Sequence, residues 1–119
     1  MAKILVYGSY GNDNPERATL ALIVGNTALA SEHDTVIFLT VEGVRLATKG
    51  YADDIHKEGF APVGELLQQY VSGGGTLLAC AACCKPRGIS ADDLIEGAEI
   101  TGAARLVEYL ANGYAPFSA

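Results

Sequence analysis

Hydrophobic positions along this chain fall into short solid runs separated by longer, periodic stretches. Lys3-Ile4-Leu5-Val6-Tyr7-Gly8 is a near-continuous apolar run that stops at a glycine. That is the pattern of a strand buried on both faces. Ser9 to Asn14 follows, dense in turn formers. Asn14-Pro15-Glu16 then combines a capping side chain, a proline at the first helical position and a carboxylate in the first turn. The helix this predicts, about residues 15–30, is apolar almost all round. It is expected to bury one side against the sheet and another against a second helix or subunit.

Residues 35–41, Thr-Val-Ile-Phe-Leu-Thr-Val, form a second strand-like run, and a short helical piece from Gly43 to Lys49 ends at Gly50. In 62–72, Val63, Leu66, Leu67, Tyr70 and Val71 share one helical face, and Gly73-Gly74-Gly75 stops them. Thr76 to Cys80 reads as a third strand, and Cys80 is expected to leave it for a loop. Ser90-x-x-Asp93 is a cousin of the capping box and predicts a short helix. Residues 98–100 suit a short strand. Thr101 is expected to cap a helix running to about Asn112, with Gly113 as its stop and 114–118 as a last edge strand. Apolar strands alternating with helices predict an α/β fold, a parallel sheet with helices on both faces. In such sheets reactive groups collect beyond the carboxyl ends of the strands, where Cys80 lies.

Composition narrows the function classes. The 119 residues suit one domain, 1–119, and with 50% hydrophobic and 18% charged residues the chain is no disordered tail. A chain of this length needs neither metal nor disulfides to stabilise its core. Eight basic residues against fourteen acidic give a net charge of −6. No segment supplies the basic stripe of a phosphate-tracking protein, so no nucleic-acid partner is expected. Ala18 to Val24 is too short to span a bilayer, and the N-terminus has no signal-peptide pattern, so a soluble cytoplasmic protein is expected.

Chemistry concentrates in one place. All three cysteines, Cys80, Cys83 and Cys84, fall within five residues, followed at once by Lys85 and Arg87. Reducing compartments disfavour structural bridges, so bunched thiols there point to redox or metal chemistry. A thiol nucleophile works as the thiolate, which nearby cations favour. Cys80 is therefore the candidate nucleophile, Cys83 or Cys84 a candidate resolving thiol, and Lys85 and Arg87 candidate stabilisers of the thiolate. Against this stands plain packing, since free cysteine fills cores as a small hydrophobe. Structural zinc wants four ligands, and one Cys-x-x-Cys pair with His33 and His56 far away falls short, so no metal is expected. A thioredoxin-like motif would open a helix near the N-terminus of its domain; here Pro86 interrupts any helix starting at Cys83.

Three stretches resemble the DsrE/DsrF-like family of sulfur-relay proteins: Lys3 to Gly11, Phe38 to Val44, and above all Cys80 to Gly88, continued through 97–104 into the last helix. The likeness covers almost the whole chain. It implies a three-layer α/β/α domain with a mostly parallel five-stranded sheet, assembled as homo-oligomeric trimers or hexamers. It also implies a cysteine that accepts sulfane sulfur as a persulfide and passes it between donor and acceptor proteins or small thiols. By its place before Arg87-Gly88, that cysteine matches Cys80. Cys83 and Cys84 exceed the single-cysteine pattern of such carriers.

Other features are weaker. Gly8-Ser9-Tyr10-Gly11 fails both nucleotide-loop patterns and reads as a turn, so no cofactor is expected. Glu42 is placed on the same carboxyl edge as Cys80, as a residue able to tune the thiol or orient a partner. Tyr7 and Tyr10 flank the first loop and are candidates to line a pocket there. The leading expectation is a sulfur carrier or sulfurtransferase subunit using Cys80. Its alternatives are a binding or regulatory module of the same fold, and a Cys80/Cys83 thiol–disulfide oxidoreductase.

Overall fold

The apolar runs become one sheet in the computed structural model, which describes residues 1–119. Its strands are β1 (Lys3–Gly8), β2 (Asp34–Leu39), β3 (Thr76–Cys80), β4 (Ala98–Thr101) and β5 (Ala115–Ser118). They lie in the order β4-β3-β2-β1-β5, and every pairing is parallel. The helices are α1 (Pro15–Ala30), α2 (Val63–Ser72), the single turn α3 (Ala81–Cys84) and α4 (Ala103–Ala111). Steps from β1 to β2, β3 and β4 all run in one direction across the sheet. Right-handed crossovers therefore put their helices on one face. The return from β4 to β5 runs the other way and carries α4 to the opposite face. Arg105 of α4 accordingly reaches Glu99 of β4, Nη1 to Oε2, at 3.0 Å. Three layers follow from connection handedness alone.

Helix α1 starts as its sequence specifies: the Asn14 side chain accepts from the Arg17 amide, with Pro15 at the first position. Its broad apolar surface meets the sheet on one side and α2 on the other, so the second partner expected for it is a helix of the same chain. Buried Asn26 donates from Nδ2 to the Leu66 carbonyl of α2 at 3.0 Å, which fixes the register of the two helices. Gly25 lets Ile37 and the Tyr70 ring approach α1, where a Cβ would stand 2.7 Å from Ile37 Cδ1. Tyr70 is fully buried, and its hydroxyl donates to the Thr76 carbonyl at 2.7 Å, so the phenol brings no unpaired polar group into the core.

Some boundaries move. The second strand ends at Leu39, because Val41 adopts φ 52° and begins a 3-10 segment, Val41–Ala47. A further 3-10 turn, Tyr51–Asp54, has no apolar period to announce it. Thr101 closes β4 instead of capping α4; Gly102 takes the cap position and offers no side chain. Cys80 does not enter a loop: α3 begins at the next residue and continues as a 3-10 turn, Lys85–Arg87. Ala81-Ala82 is strong helix-forming sequence, and proline is tolerated at the start of the second turn. The capping box of Ser90 with Asp93 forms as expected. No helix is long and apolar enough to cross a membrane.

Candidate functional site

Strand β3 delivers Cys80 to the carboxyl edge of the sheet, where it is the capping residue of α3. The next turn brings Cys83 and Cys84 back beside it. All three thiols are free; Cys80 is 8% exposed, Cys84 is 1% exposed and Cys83 is half-buried. Burial pushes the Cys84 thiol above its ordinary range. Cys80 and Cys83 push it the same way, and Arg87 pulls it back. Cys84 is thus held toward the neutral thiol by its surroundings, and Cys83 is the thiol solvent reaches most easily.

Glu42 is the centre of the adjoining charge. Its Oε1 accepts from Arg87 Nε at 2.9 Å and its Oε2 from Arg45 Nε at 2.7 Å. The Arg87 hydrogen bond holds the carboxyl below the usual range; partial burial opposes it, and Arg45 adds to the lowering. Arg87 also donates from Nη1 to the Cys83 carbonyl at 3.0 Å. A carboxylate from the β2 end and a backbone carbonyl from α3 are therefore tied together through one guanidinium.

Two backbone features put Glu42 there. Val41 is β-branched yet left-handed, a conformation costing about 1–3 kcal/mol, and its side chain is 52% exposed. It turns the chain sharply after β2. Gly43 then packs against the loop that follows β1: its amide donates to Thr40 and Ser9 carbonyls at 2.9 and 3.2 Å. A Cβ on Gly43 would stand 2.0 Å from the Gly8 carbonyl oxygen. Only glycine allows that approach.

The other residues singled out in the sequence go elsewhere. Lys85 is exposed at the end of α3 and makes no side-chain hydrogen bond. Tyr10 lies in the first loop with the Arg17 guanidinium 5.5 Å from its ring centroid, so it partners a cation of helix α1. His33 accepts the Ala2 amide at Nδ1, and His56 Nε2 bonds the Phe60 carbonyl; both are engaged locally. The residue missed in the sequence is Arg45. Its signal was the Glu42-x-x-Arg45 spacing, which puts both side chains on one face of a helical segment.

The thiol cluster does not occupy the point where strand order reverses, which falls between β1 and β5. That crevice is where ligands of open α/β sheets commonly bind. Here the three free thiols sit two strands away, at and just beyond the end of β3.

Relatives and folds place the chain. The uncharacterized protein MJ0760 of Methanocaldococcus jannaschii is 31% identical over 108 residues, 91% of this chain and 39% of that protein. The chain thus spans well under half of that relative's length. The uncharacterized protein MK0008 of Methanopyrus kandleri is 38% identical over 95 residues, covering 80% of this chain and 75% of that one. Among solved structures, the ychN protein from E. coli superposes with a TM-score of 0.83 at 21% identity, covering 100% of both chains. That likeness shows a shared fold. The family model described as DsrE/DsrF-like matches residues 2–118, and the chain belongs to that family.

Proposed function

We propose that the protein is a small cytoplasmic sulfur carrier or sulfurtransferase subunit, with Cys80 as the thiol that carries sulfane sulfur. The observation that supports this is the grouping of three free thiols around one helical turn at the sheet's carboxyl edge, with Arg87 bonded to that turn's backbone. In the reaction, the Cys80 thiolate attacks the outer sulfur of a donor persulfide. A new S–S bond forms, the donor's S–S bond breaks, and the donor leaves as its thiolate. An acceptor thiolate then attacks the outer sulfur on Cys80, which departs with the electron pair. No net oxidant is consumed. Arg87, bonded to the Cys83 carbonyl, supplies positive charge near the thiols, and Cys83, the best exposed, serves as the resolving thiol.

The carrier is proposed to act as a homo-oligomer, a trimer or hexamer. Val107 and Leu110, one turn apart on α4 and exposed, offer an apolar surface for it. Sedimentation showing only the 12.4 kDa species would remove that part.

The carrier role is tested by incubating the purified chain with 2-hydroxyethyl persulfide and taking its intact mass. Gain of one sulfur atom, lost in Cys80→Ser, is the expected result. A second role is favoured by the placement of Cys80 and Cys83 at either end of one turn: thiol–disulfide exchange. Loss of two hydrogens that requires both residues, with no sulfur gained, would favour that role and refute the carrier.

A further inference from the structure

Two guanidiniums converge on one carboxylate beside the thiols, and one would have sufficed to neutralise it. Arg45 and Arg87 each grip Glu42 through the inner nitrogen, Nε. Arg87 Nη1 is taken by the Cys83 carbonyl. Nη2 of Arg87 and both outer nitrogens of Arg45 donate to no protein atom, while the side chains are only 23% and 37% exposed. Glu42 thus acts as a bracket that stiffens two forks and leaves their outer donors free. One carboxylate against Arg45 and Arg87 leaves a local excess of one positive charge in a chain of net charge −6. Half-buried, excess guanidinium charge calls for an anion with several acceptor oxygens, the match that arginine forks make best.

The neighbouring chemistry narrows which anion. Arg87 holds the backbone of Cys83 itself, so an anion on its free donors lies against the thiol turn. Cys80 is 8% exposed, which favours a small donor over the folded surface of another protein. We propose that Arg45 and Arg87, bracketed by Glu42, bind the oxyanion head of a small thio-oxyanion of the thiosulfate type and present its outer sulfur to Cys80. This inference rests on the carrier role assigned to Cys80 and names a donor for it. The Cys80 thiolate attacks the outer sulfur and forms the new S–S bond. The S–S bond of thiosulfate breaks, and sulfite leaves with the electron pair. The growing charge on the departing sulfite is met by the same guanidiniums, so binding and departure use one pair of side chains.

The test compares two donors on the full chain. Thiosulfate carries the oxyanion head; 2-hydroxyethyl persulfide delivers the same sulfur without it. Thiosulfate is expected to add one sulfur atom to Cys80 with saturation and to release equimolar sulfite. Arg45→Gln is expected to lower the thiosulfate rate, relative to the persulfide rate, by about tenfold or more, the scale of a lost charge-assisted contact. Glu42 is the hydrogen-bond partner of the Arg45 side chain, and Arg45 is not among the buried core residues, so this variant leaves the core packing in place; Arg87→Lys, which retains charge but loses the fork, provides a second measurement with the same expected direction. Sulfur uptake from the persulfide but none from thiosulfate overturns the inference and leaves the carrier role standing. So does a rate ratio within about twofold of the parent in both variants. No uptake from either donor overturns both.

Discussion

Gly43→Ala tests whether the close approach between the β1 and β2 ends holds the site together. The new Cβ would lie 2.0 Å from the Gly8 carbonyl oxygen and 2.8 Å from the Gly8 carbonyl carbon. These are backbone atoms, so no side-chain rotation relieves the clash. A comfortable carbon–oxygen contact is roughly 3.3 Å, which requires the segments to part by more than an ångström. That displacement breaks the 3.2 Å hydrogen bond from the Gly43 amide to the Ser9 carbonyl, worth about 1 kcal/mol. Overpacking a tight contact adds about 1–3 kcal/mol. The expected loss is therefore about 2–4 kcal/mol, or roughly 8–16 °C in melting temperature at about 4 °C per kcal/mol.

The assay is urea unfolding followed by far-UV circular dichroism, with Gly64→Ala as the control. A Cβ at Gly64 meets the Asp53 Oδ1 atom at 2.8 Å, the end of an exposed side chain that can rotate away. Alanine also suits the first turn of α2, so the control should be neutral or gain up to about 1 kcal/mol. A Gly43→Ala protein within about 0.5 kcal/mol of the parent would refute the reasoning. The chain would then tolerate separation of these loops, and Glu42 would owe its position to something else.

Three further outcomes are expected. Glu42 has its carboxyl held down in the folded state, so the ion triad contributes stability above the unfolded carboxyl value near 4.5 and loses it as pH falls through the lower folded value. Unfolding free energy measured from pH 6 to 3 should drop more steeply in the parent than in Glu42→Gln; parallel curves would contradict this. Limited alkylation with iodoacetamide should mark Cys83 first and Cys84 last, because burial raises the Cys84 thiol and covers it; a first adduct on Cys84, located by peptide mass, would be the opposite result. The Tyr114 hydroxyl donates to Asp34 Oδ2 at 2.6 Å, and that bond, with burial, pushes its phenol up to about 12. The contribution is present below about pH 10 and is lost as pH rises through about 12. Ultraviolet titration should show two late tyrosines, buried Tyr70 and Tyr114, and in Asp34→Asn the earlier of the two late transitions should move toward the ordinary range; two unmoved late transitions would rule the contact out.

Local chemistry determined most of the architecture. Asn14-Pro15 set the start of α1 because a side-chain acceptor and a fixed φ act on the very residues that carry them. The solid apolar runs at 3–8 and 76–80 gave strands with those bounds, since a strand covered on both faces cannot afford polar alternation. Edge strand β5 and the capping box at Ser90 were legible for the same local reason. Cys80 could be placed at the sheet's carboxyl edge because a strand's end fixes its last side chain.

Tertiary structure alone decided the rest. The bracket of Arg45, Glu42 and Arg87 joins positions 45 residues apart, and charge spacing along a chain does not encode which side chains meet across two strand ends. Val41 shows why: a β-branched residue reads as a continuing strand, yet long-range packing of Gly43 on Gly8 holds it left-handed. Propensity is worth tenths of a kcal/mol per residue, and a backbone contact of that kind outweighs it. The turn at Cys80 followed the same rule in reverse, with local helix formers prevailing over the expectation of a loop. The sequence by itself determined the strands, the caps and the grouping of thiols, all properties of neighbouring residues. Which charges surround those thiols, and which thiol water can reach, were settled by the folding of distant segments against one another.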